Sequence, residues 1–402
     1  MKKITTHTLR IAAATMVLLV AACAAPPKTG EIADARKMFD GAMLPDVAVN
    51  SFSHTEQLFP VRVVAKGPVA RPLPVSATPL PPIKFTSNGK PYDLYDYLSV
   101  NRVVGIMIVK NGEVRFEDYE LGVDASTHWI SFSVAKSFAS TLVGAALQDG
   151  YIKSLDDQLT QYVPQLKGSG YDGVSVKQLL QMSSSVRWDE TYTDPKSDRR
   201  KLLDQQLTNT PGNVLAYMRT LPKAGPPGSI WNYNTGETIV VGSLLEAATG
   251  KPLAEYLSQK IWAPWGMESD AMWWLESPNG SGIAGSGLLS TLRDFARFGL
   301  FVLNDGVIDG KRVVPAGWFA EAATPKMIGG KLTDYGYFWW PIPKGDPIHE
   351  GAYQGRGIFG QFIYINPREN LLIVVLSARA KPTGYFVITD NDFFGAVAKA
   401  LR

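Results

Sequence analysis

Ser133 and Lys136 stand three residues apart in the run Trp129-Ile130-Ser131-Phe132-Ser133-Val134-Ala135-Lys136-Ser137-Phe138. On a helix, side chains at that spacing lie over one another, their β-carbons about 5–6 Å apart, so an amine would sit against a hydroxyl. A serine hydroxyl is a poor nucleophile until a base takes its proton. A lysine withdrawn from water loses part of its preference for the charged form and can be that base. The start of a helix adds free N–H groups and partial positive charge where an oxyanion would form. The S-x-x-K pattern alone is common, and Ser87-Asn88-Gly89-Lys90 matches it in a glycine-containing loop. What separates Ser133 is its surroundings, because Lys136 is the only ionisable side chain from Trp129 through Gln148. A surface helix carries several charges, whereas a lone lysine on a buried helix needs a partner or a function.

Competing chemistries find less support. There is no G-x-S-x-G elbow, no H-E-x-x-H and no P-loop. Beyond the N-terminal segment the histidines are His54, His128 and His349, and no spacing among them resembles a metal cage. Neither metal nor cofactor is expected.

The elements that must position Ser133 and Lys136 are legible on both sides of them. Val103 to Val109, Asn111-Gly112 and Val114 to Tyr119 form a strong antiparallel hairpin signal. A second hairpin reads from Gln361 to Ile365 and Leu371 to Ser377 across Asn366-Pro367, and Phe393, Phe394, Val397 and Leu401 have helical spacing. Between the hairpins the chain is mostly helix. Ser154 with Asp157 and Thr291 with Asp294 make capping-box patterns, and Gly150 and Gly250 sit where helices end. These elements predict an α+β fold, an antiparallel sheet flanked by helices with a helical domain inserted at about residues 150–305.

The 402 residues carry 40 basic and 37 acidic side chains and one cysteine. Lys2, Lys3 and Arg10 are the only charges before Ala22, so the chain without residues 1–22 is formally neutral. That balance argues against nucleic acid as a partner, since phosphate binding needs a clustered basic surplus. The basic start, the apolar stretch Ile11–Val20 and Ala21-Ala22-Cys23 read as an export signal too short to span a bilayer. Val20-Ala21-Ala22-Cys23 resembles the bacterial lipoprotein signal, which makes Cys23 the lipidation site; the alternative is a plain secretory signal. Ala24 in place of aspartate favours the outer over the inner membrane, with the chain facing the periplasm. Residues 23–85 are read as lipidated N-terminus and tether, because prolines 60, 68, 72, 74, 79, 81 and 82 break regular structure. The sequence leaves open whether that segment is a free spacer or wraps over the domain at 86–402.

With these residues in place, the chain resembles the serine β-lactamase and penicillin-binding family, whose first motif is S-x-x-K. Pro227-Gly228-Ser229-Ile230-Trp231-Asn232-Tyr233-Asn234-Thr235, ahead of a helix through Glu246, resembles the tyrosine motif of class C β-lactamases and related esterases. The resemblance implies that Tyr233 sits between Ser133, Lys136 and the leaving group; the alternative is a core aromatic with its hydroxyl satisfied. Thr235 stands where the family has asparagine and cannot reproduce an amide's two donors. Gly355-Arg356-Gly357-Ile358-Phe359-Gly360-Gln361 is similar to the third motif and implies that Ile358, following Gly357, supplies an oxyanion N–H beside that of Ser133. Gly355 and Arg356 replace the usual lysine and threonine, and Arg356 would hold a substrate carboxylate in that lysine's stead if it points inward. His349-Glu350-Gly351 offers a competing H-x-G register.

The resemblance covers most of residues 95–402 and looks closest to the branch of 6-aminohexanoate-dimer hydrolase and penicillin-binding-like carboxylesterases. It implies a β-lactamase/transpeptidase-like fold and substrate contacts from Trp188 and Tyr192, which otherwise pack between lobes. No acidic water activator is evident. The expected activity is hydrolysis of small esters or linear amides through a Ser133 acyl-enzyme. Alternatives are a D,D-peptidase or β-lactamase, and a binding or sensing module that does not turn over.

Overall fold

Asn111 and Gly112 adopt left-handed φ angles of 56° and 82° and join strand β1 (Val103–Lys110) to β2 (Glu113–Tyr119). In the computed structural model, which describes residues 30–384 and 387–402, this hairpin forms one side of a six-stranded antiparallel sheet. The other strands are β3 (Trp340–Pro341), β4 (Tyr353–Gly357), β5 (Gln361–Asn366) and β6 (Leu371–Ser377), in the order β3-β4-β5-β6-β1-β2. The pairing of β6 with β1, Ile373 opposite Ile108, brings together segments more than 250 residues apart in the chain. Export-signal residues and Cys23 lie outside the described residues.

Both faces of the central strands are covered, which is why β1, β5 and β6 read as continuous apolar runs rather than alternating ones. Val104, Met107 and Val109 share one core with Ile363, Ile365, Leu372 and Val374. Their neighbours Ile106 and Ile108 share another with Phe362, Tyr364, Ile373 and Val375. Helices α1 (Ala135–Gln148), α2 (Thr235–Thr249) and α3 (Leu292–Leu303) belong to the first core, and α4 (Asp390–Ala400) closes the second. The result is the expected α+β architecture of an antiparallel sheet between helical layers.

The Thr291 cap forms as the sequence predicts, its hydroxyl accepting from the Asp294 N–H at 3.2 Å. The Ser154–Asp157 pattern does not open a helix. Asp157 accepts from the Ser154 N–H and from the Tyr162 hydroxyl, closing a turn, while Gln158 is extended and bridges Ser175. The region at 150–305 is not purely helical either. Its strands Ala271–Trp274 and Leu288–Ser290 join Val61–Val64 and Trp129–Ile130 in a four-stranded sheet.

That second sheet bears on the choice left open between spacer and wrap: from residue 31 the segment packs on the domain. From Glu31 the chain belongs to the same compact unit as the remainder. It forms helices at Ala35–Asp40 and Pro45–Ser53 before Val61–Val64 pairs with Ala271–Trp274. The prolines remain outside this strand, where no ladder N–H is lost. Phe39, Phe52, Phe59 and Val64 are buried, so enough apolar surface is removed from water to hold the segment down.

Candidate active site

Ser133 lies in a tight turn (Phe132–Val134) that leads directly into α1. The turn is fixed from the small sheet: the Ser131 N–H donates to the Leu288 carbonyl at 2.8 Å, and the Ser131 hydroxyl accepts from the Leu288 N–H at 3.2 Å. Phe132 has a left-handed φ of 43°, a rare conformation for a bulky residue. Its ring is locked between Phe52 at 5.2 Å and Phe359 at 5.3 Å. Packing against these rings offsets the backbone strain beside the nucleophile.

One turn into α1, Lys136 is 1% exposed. Its Nζ lies 2.9 Å from the Ser133 hydroxyl, 2.7 Å from the Gly285 carbonyl and 3.2 Å from the Thr235 hydroxyl. Burial pulls the amine down to about 7, Glu190's charge partly opposing and Arg199 assisting. The neighbours also dictate where its lone pair points. Thr235 donates its proton to Glu190 Oε1, so toward Lys136 it can only accept; a carbonyl can only accept as well. A neutral amine that donates to both therefore turns its lone pair to the Ser133 hydroxyl.

Tyr233 precedes α2, whose start is capped by the Asn234 side chain accepting from the Glu237 N–H at 3.0 Å. Asn232 ties the same stretch to the Trp188 carbonyl at 2.8 Å. The Tyr233 ring packs 5.5 Å from Trp340 and 5.8 Å from Tyr335, with Lys136 Nζ 5.2 Å from its centre. Burial, then Glu190's charge, raise the phenol well above its ordinary range, against the Ser133 hydrogen bond and the charges of Arg356 and Arg199. At neutral pH Tyr233 is thus a proton-bearing hydroxyl, while Lys136 is the group that titrates.

Strand β4 passes so close to the nucleophile turn that a β-carbon on Gly357 would meet the Ser131 carbonyl at 2.6 Å. Ile358 follows, with its own flank fixed by Gln361, whose amide donates to the Ile358 carbonyl and accepts from the Trp129 indole at 2.9 Å. Phe359 has φ 61°, so both N–H-bearing turns contain a left-handed phenylalanine, and the two rings pack together. Neither the Ser133 nor the Ile358 N–H donates to any acceptor among the described residues. Both residues line one cavity of about 250 Å³, together with Tyr233, Tyr192, Glu190 and Gly357. A carbonyl oxygen placed there would find two unoccupied donors.

Other expectations meet a different geometry. Thr235 is buried behind the cavity, its hydroxyl bridging Lys136 and Glu190 and so not available to a substrate amide. Trp188 is also buried, and its indole N–H donates to Glu190 at 2.5 Å; of the two expected substrate contacts, Tyr192 reaches the cavity and Trp188 does not. Ser87 and Lys90 belong to a surface hairpin whose Ser87 hydroxyl receives the Thr389 N–H. His349 donates from Nε2 to the Asn391 carbonyl and shares a hydrogen bond with the Tyr364 hydroxyl through Nδ1, beside a separate groove of about 940 Å³ that contains no Ser133 or Lys136. The H-x-G register therefore falls away, leaving Gly355-Arg356-Gly357 on the strand beside Ser133.

Sequence reasoning missed Glu190. Its carboxylate accepts from the Thr235 N–H at 2.9 Å, the Thr235 hydroxyl and the Trp188 indole, and it faces the cavity. The only signal was its place between Trp188 and Tyr192. Nothing in the spacing ties position 190 to position 235; the α2 N-terminus, with its free N–H, makes that connection in space.

The protein family described as Beta-lactamase matches residues 101–392. The chain is 31% identical over 348 residues to the 6-aminohexanoate-dimer hydrolase of Paenarthrobacter ureafaciens, covering 83% of this chain and 86% of that protein. A solved Bacillus anthracis structure described as a 6-aminohexanoate-dimer hydrolase superposes with a TM-score of 0.75 at 25% identity, over 87% of this chain and 91% of the other. A family VIII carboxylesterase superposes with a TM-score of 0.57 at 16% identity, over 76% of this chain and 94% of that one.

Proposed function

Because the chain belongs to the beta-lactamase family of serine hydrolases, we propose that it cleaves small esters or linear amides through an acyl-enzyme on Ser133. One observation carries this reading: a buried lysine lowered to about 7 lies 2.9 Å from a hydroxyl beside two N–H groups that meet no acceptor among the described residues. Ser133 Oγ bonds to the substrate carbonyl carbon as its proton passes to Lys136 Nζ. The N–H groups of Ser133 and Ile358 hold the oxyanion. When the carbonyl re-forms, the bond to the leaving oxygen or nitrogen breaks, and that atom takes a proton through the Tyr233 hydroxyl, resupplied by Lys136. Water then attacks the acyl ester, returns a proton to Ser133 along the same path and releases the acid.

The amide relative supports linear amides, and the absence of lysine at Gly355 disfavours β-lactams as the main substrate. The same proposal places the protein on a membrane through lipid on Cys23, supported by the Val20-Ala21-Ala22-Cys23 sequence. Radiolabelled fatty acid is then incorporated by wild type and not by Cys23→Ser.

The decisive experiment is para-nitrophenyl ester hydrolysis with mass spectrometry of the intact protein. Ser133→Ala is expected to lose at least about 10³-fold in kcat. Wild-type rates in that variant overturn the assignment, and a permanent adduct without released acid favours the sensing alternative.

A further inference from the structure

Phe39, Asp40 and Gly41 are consecutive residues at the end of the N-terminal helix Ala35–Asp40, and each reaches a different wall of the nucleophile cavity. The Phe39 ring lies 6.4 Å from Phe132, in the turn that carries Ser133, and 4.2 Å from the Arg199 guanidinium. Gly41, left-handed at φ 60°, accepts from the Lys381 ammonium at 3.1 Å through its carbonyl. Lys381 leads into Pro382 and Thr383, which line the cavity, and the Pro382 carbonyl receives the Phe359 N–H at 3.1 Å from the turn that holds Ile358.

Asp40 makes the third connection. Its carboxylate accepts from Nη1 of Arg200, and the same Nη1 donates to the Tyr192 carbonyl at 3.2 Å. Among the described residues this is the only hydrogen bond to the Tyr192 backbone. Tyr192 lines the cavity, its phenol held by Glu190 and its main chain by Arg200. The Arg200 side chain is 6% exposed, and Asp40 and the Tyr192 carbonyl are its hydrogen-bond partners. A buried guanidinium deprived of its carboxylate is strongly disfavoured, so without Asp40 the Arg200 side chain turns to water and the tie on Tyr192 is lost. The groups that make and break bonds are fixed elsewhere, Ser133 and Lys136 by the small sheet and α1, Tyr233 by the cap of α2.

We infer that Asp40 is a positioning residue: by orienting Arg200 it holds Tyr192 against the bound substrate, so the N-terminal helix sets how tightly the ester or amide is taken up. This rests on the serine-hydrolase reading given above and adds to it a determinant of substrate affinity that lies outside the three catalytic motifs.

The test is a double-mutant cycle on the purified full chain, with steady-state cleavage of para-nitrophenyl butyrate as the readout. Asp40→Ala is expected to lower kcat/KM by about 10-fold, nearly all of it as a rise in KM, because a contact made alike to substrate and transition state moves KM and spares kcat. In a Tyr192→Ala background the same substitution should change kcat/KM by less than about 2-fold, since the side chain it positions is gone. Asp40→Asn keeps an acceptor for the Arg200 fork and gives up the charge; it is measured in both backgrounds, so poor folding of Asp40→Ala does not end the test. Circular dichroism gives the folded fraction of each variant. An unchanged KM, an equal rise in both backgrounds, or a loss of activity that only follows a loss of folded protein reduces Asp40 to a structural brace and overturns the inference. Wild-type cleavage that is absent or indifferent to Ser133→Ala instead overturns the serine-hydrolase reading itself.

Discussion

Lys136 joins two demands that pull in opposite directions. Solvation would keep it charged, while its task requires a free lone pair; burial in an apolar helix settles the conflict at about 7. The kcat/KM profile should therefore rise with pH through a midpoint near 7, measured on a neutral ester. Glu190 raises that value by its charge, so Glu190→Gln is expected to move the midpoint down by about 1 unit. A purely structural role would lower the rate without moving the limb. The same shift acts on stability. Because the folded chain holds Lys136 at about 7 and the ordinary value is 10.5, the amine's destabilisation is full below pH 7 and fades as pH rises toward 10.5. Lys136→Met should be inactive yet more stable than wild type below pH 7, by about 0.5–2 kcal/mol in denaturant titration, with the gap narrowing toward pH 10.5.

The elements act by bringing two turns from distant parts of the chain into register. One precedes α1 and carries Ser133; the other follows β4 and carries Ile358. Their close approach depends on Gly357, since a β-carbon there would meet the Ser131 carbonyl at 2.6 Å and neither backbone can yield cheaply. Gly357→Ala is expected to push β4 away from the Ser133 turn and lower kcat by about 10²–10³-fold, a loss of oxyanion stabilisation measurable in steady-state kinetics. Behind both turns sits Phe52, 5.2 Å from Phe132 and 4.9 Å from Phe359. Phe52→Ala should cost about 3–5 kcal/mol in unfolding free energy and release the strain at both left-handed phenylalanines. The sequence showed the S-x-x-K helix and the glycine strand separately. It could not show that a phenylalanine some 80 residues upstream packs behind both.

At the scale of the whole molecule, the N-terminal segment is a structural layer. Val61–Val64 covers the edge of Ala271–Trp274, Phe59 packs 4.4 Å from Trp274, and Arg36 pairs with Asp204 at 2.7 Å. Phe39 lies under the Arg199 guanidinium at 4.2 Å, so the segment also braces the chain that follows the Glu190 loop. Removing residues 31–83 would uncover Trp274, Trp129 and Phe132 together, more apolar surface than the about 5–15 kcal/mol of net stability can absorb. Such a truncation is expected to aggregate, whereas a chain beginning at Glu31 should keep its thermal midpoint, compared by solubility and thermal denaturation.

What the sequence determined by itself was whatever depends on neighbours in the chain. Asn111-Gly112 dictates its hairpin, Thr291 caps its helix, and the uncharged run around Lys136 already marks an amine destined for burial. Tertiary structure decided what depends on which distant surfaces meet. Thr235 reads as a substrate contact until Glu190 takes its proton and Lys136 its lone pair, and the proline-rich start reads as a tether until its aromatics find the sheet. Both outcomes turn on desolvation and on donor–acceptor matching between segments tens to hundreds of residues apart, which local periodicity does not encode.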